Sequence, residues 1–377
     1  MRDSRSMSVS SNLVLCAALA LPIVAGRAAE AGAGPQLNFY SVTPLVSDGI
    51  ASAPSTDPLL KNPWGVAFNP AGFVWVADNA TGVSTLYDGS GARQSLVVRI
   101  PGAGGAAGHP TGIVFSGSGD FVVSQNGLSG PARFVFAGED GTVSGWAPNV
   151  NPTNAVLVID NSNRKAVYKG LALAANGGGN FLYATDFRNN RVDVFDAQFR
   201  PVSWAGAFVD PSLPKDFAPF GIQNVLGDLV VTYAKRDSEG VDDVAGRGLG
   251  AVNIFDAGGK LLRRLTAGGM LNAPWGVSFS PASFGRFAGA LLVGNFGDGR
   301  ISAFDLRTGT FLGQLRKADG RRVALPGLWG LAFGNGQRGQ SVDTLFFAAG
   351  PNDEVNGVYG RIDPVTGDGR FEREDND

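Results

Sequence analysis

Pro63-Trp64-Gly65-Val66 opens an apolar run, and the same phrase returns five more times along the chain. The other copies are Pro110-Thr111-Gly112-Ile113, Tyr168-Lys169-Gly170-Leu171, Pro219-Phe220-Gly221-Ile222, Pro274-Trp275-Gly276-Val277 and Leu328-Trp329-Gly330-Leu331. The glycines fall 47, 58, 51, 55 and 54 residues apart. A period of this length, filled with short apolar runs and glycine turns, specifies β-propeller blades and excludes helical solenoid repeats. Six copies predict six blades and an all-β chain.

Each unit repeats further inside. A second apolar run follows the anchor glycine: Val74 to Ala77, Phe134 to Ala137, Leu182 to Thr185, Leu229 to Thr232, Leu291 to Gly294 and Leu345 to Ala348. A third run alternates and ends in an aspartate that opens a turn, at Asp88, Asp196, Asp256, Asp305 and Asp363; the second unit has Val143 to Trp146 and lacks the aspartate. Alternation with period two, then Asp-Gly, Asp-Ala or Asp-Pro, reads as strand then turn. A fourth run closes most units, as at Leu96 to Ile100, Val156 to Ile159, Val202 to Phe208 and Leu261 to Leu265. The sixth unit has none, whereas Leu37 to Val46, ahead of the first unit, is strand-like and unassigned. The economical reading is that this N-terminal strand completes the last blade, closing the ring and covering its edge. The propeller then occupies residues 36–366, and a polar, acidic tail follows at 367–377.

Residues 1–30 stand apart. Arg2 and Arg5 precede an apolar run from Leu13 to Val24, with small residues around Ala25, Ala28 and Ala29. This is the build of a secretory signal peptide, and the run is too short to span a bilayer. The expectation is a secreted or periplasmic protein, a monomer with no membrane span. The single cysteine, Cys16, leaves with the peptide, so no disulfide supports the mature fold. The formal charge of −2 becomes −4 once residues 1–29 are removed, and there is no basic run, which argues against nucleic acid as a partner.

A Gly-Val/Leu strand, an Ala-Asp at the second strand's end and a third strand closing in Phe-Asp resemble NHL-type repeats over essentially all of the mature chain. With the signal peptide and the Pro-Trp-Gly-Val opening, the chain is similar to a family of secreted bacterial NHL-like propellers. That resemblance implies the fold and leaves the chemistry open, because the architecture hosts binding proteins, hydrolases and lyases. In the related gluconolactonase-like enzymes, Asn and Asp at the start of inner strands hold a divalent metal. Here those positions carry Trp64, Thr111, Lys169, Phe220, Trp275 and Trp329, none of them a carboxylate ligand. One histidine, His109, is too few for a histidine dyad, and no Cys–His or Ser–His–Asp spacing or phosphate loop occurs.

Four sets of residues are expected at the channel mouth. Trp64, Phe220, Trp275 and Trp329, with Lys169 among them, could stack on a sugar or other planar ligand, or could pack together and plug the channel. His109 precedes an anchor and would be the natural proton carrier, or a turn residue. Asp78, Glu139 and Asp186 end the second strands of blades 1 to 3, with Glu139 aligned to Asp78; they could bind calcium or cap turns. A charged insertion in blade 4, Lys235 to Asp243, shares its loop position with Asn352-Asp353-Glu354 of blade 6. The function expected is a module binding a small molecule, glycan or protein at the mouth, without cofactor. The alternative is a divalent-metal hydrolase or lactonase built on the acidic ring, with Ca2+ as the metal.

Overall fold

A computed structural model describes residues 38–366; residues 1–37, which include the segment 1–30 read as a signal peptide and Leu37 of the expected closing strand, and the tail 367–377 lie outside the described residues. Six antiparallel sheets follow one another along the chain, and the innermost strands are Pro63–Phe68, Pro110–Phe115, Tyr168–Asn176, Phe217–Val225, Pro274–Phe279 and Leu328–Phe333. Each carries one copy of the repeated phrase, and adjacent inner strands touch all the way round, the sixth contacting the first. This is the six-bladed propeller that the repeats predict.

The glycine is required for room and not for an unusual φ. A Cβ on Gly65, Gly170, Gly221, Gly276 or Gly330 would meet the carbonyl oxygen of Thr111, Phe220, Trp275, Trp329 or Trp64 at 3.0 Å or less; one on Gly112 would meet the backbone of Gly170 and Leu171. Every anchor glycine therefore marks the place where one inner strand presses on its neighbour's backbone. Six close approaches set the diameter of the ring.

Closure occurs where the missing fourth strand implies. Phe39–Ser47 pairs antiparallel with Val358–Val365, Phe39 opposite Val365 and Ser47 opposite Val358, with a bulge at Pro44/Val46. The short strand Ser55–Thr56 then lies parallel to its end, Ser55 opposite Val46 and Thr56 opposite Ser47. Tyr40 also ties this strand to blade 5: its hydroxyl donates to the Phe284 carbonyl at 3.1 Å, and its ring stacks on Phe287. Four of the five turn aspartates behave as read; the fifth, Asp363, lies inside the strand Val358–Val365 opposite Ser41 and accepts from Thr344 Oγ1 at 2.6 Å, because pairing with the N-terminal strand carries the chain on past it. Asp88, Asp196, Asp256 and Asp305 each accept backbone N–H groups two to four residues on, the Asx-turn geometry.

Two expectations about strands change. The fourth run of blade 3, read as Val202 to Phe208, is a strand only at Pro201–Val202. Gly206 turns left-handed, and Trp204 and Phe208 fold back onto Tyr183, so the aromatic burial comes from a loop. Blade 2 carries an inserted hairpin, Val122–Gln125 with Leu128–Pro131, turning at Asn126-Gly127. Packing lies mainly between neighbouring sheets, in clusters that bury one blade's face against the next. A further cluster, the aromatic one, sits at the channel mouth.

Candidate functional site

The four anchor rings are buried. Trp64 is 2 % exposed, Phe220 0 %, Trp275 8 % and Trp329 1 %. Trp64 and Trp329 stack with centroids 3.4 Å apart, Trp275 meets both edge-on at 5.7 and 5.6 Å, and Phe220 abuts Trp329 at 5.8 Å. Phe187 and Phe296, which follow the second strands of blades 3 and 5, complete the cluster. Of the two readings of this ring, packing describes what is present: the rings cover each other's faces and stop the channel at its mouth. A stacking ligand would find no free indole face there.

Two of the plug's indole N–H groups are used, Trp275 donating to the Lys169 carbonyl at 2.9 Å and Trp329 to Asn62 Oδ1 at 3.1 Å. The third, on Trp64, is buried without a partner.

Lys169 occupies an anchor position but reaches across the plug. Its side chain is 2 % exposed, and its Nζ stands 5.2 Å from the centre of the Trp64 ring, within cation–π range. The same Nζ pairs with Glu139 Oε1 at 2.5 Å and Asp242 Oδ1 at 3.1 Å. Burial opposes the charge on Lys169, but these two carboxylates outweigh it and hold its pKa above the ordinary lysine value. Glu139 shows the converse. Burial pushes its carboxyl up, yet Lys169, by charge and hydrogen bond, and Asn79, donating at 2.8 Å, bring it below the usual range. Lys169 is thus a fixed ammonium and not a free amine nucleophile.

The carboxylates come from three blades. Asp242 and Asp243 lie in the blade 4 insertion, which Arg236 pins by donating to the carbonyls of Arg188 at 2.8 Å and Lys215 at 2.9 Å. Burial raises Asp243 to about 7; Lys169 draws it down in part, while Glu354 and Asp242 push it further up. Glu354 hangs from the blade 6 loop, where Asn352, Asp353 and Glu354 have φ of 57°, 50° and 66° in succession. Three consecutive left-handed residues without a glycine cost about 1–2 kcal/mol each. The turn is held by Asn356, which donates to Asp48 Oδ2 at 2.7 Å, and Asp48 in turn pairs with Lys61. The Glu354 carboxyl is raised, first by burial and also by Glu139 and Asp242, and its Oε1 is buried without a partner. His109 is exposed beside Glu139, and its carbonyl accepts the Glu139 N–H at 3.1 Å.

The expected acidic ring does not assemble. Pro110 pairs with Gly138 as Pro63 pairs with Asp78, so Glu139 corresponds to Asn79 and not to Asp78. That one-residue difference sends Glu139 to the centre, while Asp78 and Asp186 stay within their own blades. Asp78 is fully buried, accepts from Thr85 at 2.8 Å and is raised well above the aspartate range by that burial. Asp186 accepts from the N–H of Val167 at 3.1 Å and from Asn189 Nδ2 at 2.7 Å, capping its loop. Among the described residues no group of three His, Cys, Asp or Glu side chains is arranged to hold a metal ion. Asp242, Asp243 and Glu354 stand in loops that the sequence places on the mouth face. Their meeting at Lys169 has no signal in the spacing, because it joins positions more than seventy residues apart.

No family model matches the chain. Two proteins of Acanthamoeba polyphaga mimivirus are similar over most of its length: Uncharacterized protein R648, 32% identical over 338 residues (87% of this chain, 82% of that protein), and Uncharacterized protein L690, 31% identical over 333 residues (86% and 85%). Among solved structures, a streptogramin B lyase superimposes with a TM-score of 0.50 at 13% identity, covering 87% of this chain and 98% of that one. A Penicillium chrysogenum α-L-arabinanase complexed with arabinobiose gives 0.52 at 11% identity, covering 86% and 98%. At such identities the likeness is one of fold alone. The relatives are viral, so the bacterial origin implied by the sequence resemblance has no support. With nearly a third of its residues identical across most of both lengths, the chain belongs to the family of the mimivirus proteins R648 and L690.

Proposed function

We propose that this propeller is a binding module whose mouth recognises an ammonium or guanidinium group on a small ligand. The observation that carries the reading is the gathering of Glu139, Asp242, Asp243 and Glu354 around Lys169 over a floor of indoles. Glu139 and Asp242 against one fixed ammonium leave an excess of negative charge, to which the raised carboxyls of Asp243 and Glu354 add as pH rises, and Asp242, with its side chain 72 % exposed, opens the cluster to solvent. The cation already seated there, 5.2 Å from the Trp64 ring, belongs to the protein and illustrates the chemistry that the site accepts. The segment 1–30 would export the module, so that the mouth meets its ligand outside the cell; N-terminal sequencing of the secreted protein tests that part.

Calorimetric titration with spermidine tests the recognition. Binding should weaken as salt is raised, and Asp242→Asn should weaken it roughly 10-fold, the weight of one charge-assisted hydrogen bond. If spermidine does not bind, or if a neutral disaccharide binds with an affinity that Asp242→Asn leaves unchanged, the reading fails.

A further inference from the structure

The aromatic plug closes the channel at the mouth, but the channel continues beneath it and opens on the opposite face. Its wide end is a cavity of about 340 Å³, and it meets a narrower chamber of about 40 Å³ that Trp275 lines from above. The two share Val66, Ile113, Gln223 and Leu331. The repeat explains the lining. The residue two places after each anchor glycine faces the cavity, and round the ring these are Ala67, Val114, Ala172, Gln223, Ser278 and Ala332. Four of the six are small and apolar. Blades 4 and 5 break the rule, and they are neighbours, so the amide of Gln223 and the hydroxyl of Ser278 stand on one wall. The opposing wall, from blades 1 and 2, is Ala67 and Val114.

Blade 4 departs from its own repeat twice, since Asn224 replaces the Phe or Leu found at the next position in every other blade. Asn224 is satisfied structurally: it donates to the Leu173 carbonyl at 2.9 Å and accepts from Gly227 N–H at 3.0 Å. Gln223 and Ser278 have no such role: Gln223 is exposed at the open end of the cavity, Ser278 is half-buried beside it, and neither side chain bonds to another protein group among the described residues, so both are open to a ligand that displaces solvent. No charged side chain lines either chamber. The cavity thus offers two free hydrogen-bonding side chains on one wall, an apolar wall facing them, and no charge.

We propose that this channel, entered from the face opposite the mouth, is a second binding site for a small uncharged molecule with one apolar edge and one amide or hydroxyl group. Gln223 and Ser278 hydrogen-bond the polar group, and the ring of alanine and valine packs the rest. The absence of charge selects against carboxylates and amines, whose desolvation nothing in the lining would offset. The site is therefore distinct in chemistry and position from the acidic mouth.

Benzamide, benzoate and toluene share a shape and differ in the group that this reading makes decisive. Ligand-observed NMR and calorimetry on the intact mature protein should show benzamide binding, toluene binding more weakly, and benzoate not binding. Gln223→Leu keeps the bulk and removes the amide, and should weaken benzamide roughly 5- to 10-fold while leaving toluene unchanged or tighter. Ala332→Phe should fill the cavity and abolish both. Circular dichroism checks that each variant is folded, and Gln223→Asn serves as a shorter amide should the leucine variant fail to fold; it should keep part of the benzamide preference. The proposal is overturned if benzamide fails to bind at millimolar concentration, if benzoate binds as well as benzamide, or if folded Gln223→Leu and Ala332→Phe bind benzamide like the parent.

Discussion

Gly221 shows how much depends on a hydrogen atom in place of a methyl group. A Cβ there would run into the carbonyl oxygen of Trp275 and crowd Thr232 Oγ1, and the neighbouring backbone is locked in its own blade. Gly221→Ala should destabilise the protein by about 3 kcal/mol, the upper range for overpacking. Gly119→Ala, where a Cβ meets nothing within 4 Å, is the control and should stay within about 0.5 kcal/mol. Equal urea midpoints for the two would show that the inner strands are not in close register. Trp329 is the centre of the plug, stacked on Trp64 and Phe296 and hydrogen-bonded to Asn62. Trp329→Ala should cost ~3–5 kcal/mol; a loss below about 1 kcal/mol would mean that the rings are not packing residues.

Asp243 belongs to the same scale but is read through pH. Its folded-state pKa of about 7 lies above the ordinary 3.8, so the folded protein holds an extra proton between those values. Stability from this group is complete below the ordinary value, falls as pH rises through about 7, and is absent above it. Asp243→Asn should therefore be more stable than the parent by ~2 kcal/mol near pH 8 and indistinguishable near pH 3.5. Urea unfolding of both proteins across this range checks the sign. A variant whose deficit or gain does not change with pH would remove Asp243 as a titrating member of the mouth.

At the scale of elements, the strand Phe39–Ser47 does the work of a fourth strand taken from the other end of the chain. It pairs with Val358–Val365 along its length and buries Phe39, Tyr40, Leu45 and Val46, Tyr40 against Phe284 and Phe287 of blade 5. Removing the chain through Ser47 should expose the Val358–Val365 edge and open the ring, with a large fall in the melting temperature and a tendency to aggregate. An unchanged melting temperature would place the closure elsewhere. The loops work differently. The blade 4 insertion and the left-handed turn of blade 6 carry Asp242, Asp243 and Glu354 to the plug, where Asp242 pairs with Lys169. Strain of this kind persists where the surroundings enforce it, here through Asn356, Asp48 and Lys61.

For the whole molecule, two chemically different ends share one blocked channel, an acidic mouth above the indoles and an uncharged cavity below them. Because Asp78, Glu139 and Asp186 each have partners in separate places, added calcium or chelator should leave the melting temperature unchanged. A ligand at 100 times its dissociation constant would stabilise by ~2.7 kcal/mol, so a calcium-dependent rise abolished by Asp186→Ala would restore the metal reading. No helix among the described residues is long and apolar enough to cross a membrane.

The sequence by itself determined the number of blades, the position of every inner strand, the closing strand and four of the five turn aspartates, the exception being Asp363. Each of these follows from local rules: a glycine where two backbones touch, alternation with period two, and an Asp that accepts the next N–H groups. It also located the loops that reach the mouth. Only the tertiary structure decided that the tryptophans are a floor and not a stacking surface, since a repeat position states which strand a residue sits on but not how far the ring closes upon it. It likewise decided the meeting of Lys169 with Glu139, Asp242, Asp243 and Glu354. Glu139 stands one residue beyond the place of Asp78, where Asn79 stands in blade 1, and charges from blades 2, 4 and 6 become neighbours only when the circle is complete. Electrostatic partners so far apart in the chain leave no period to read.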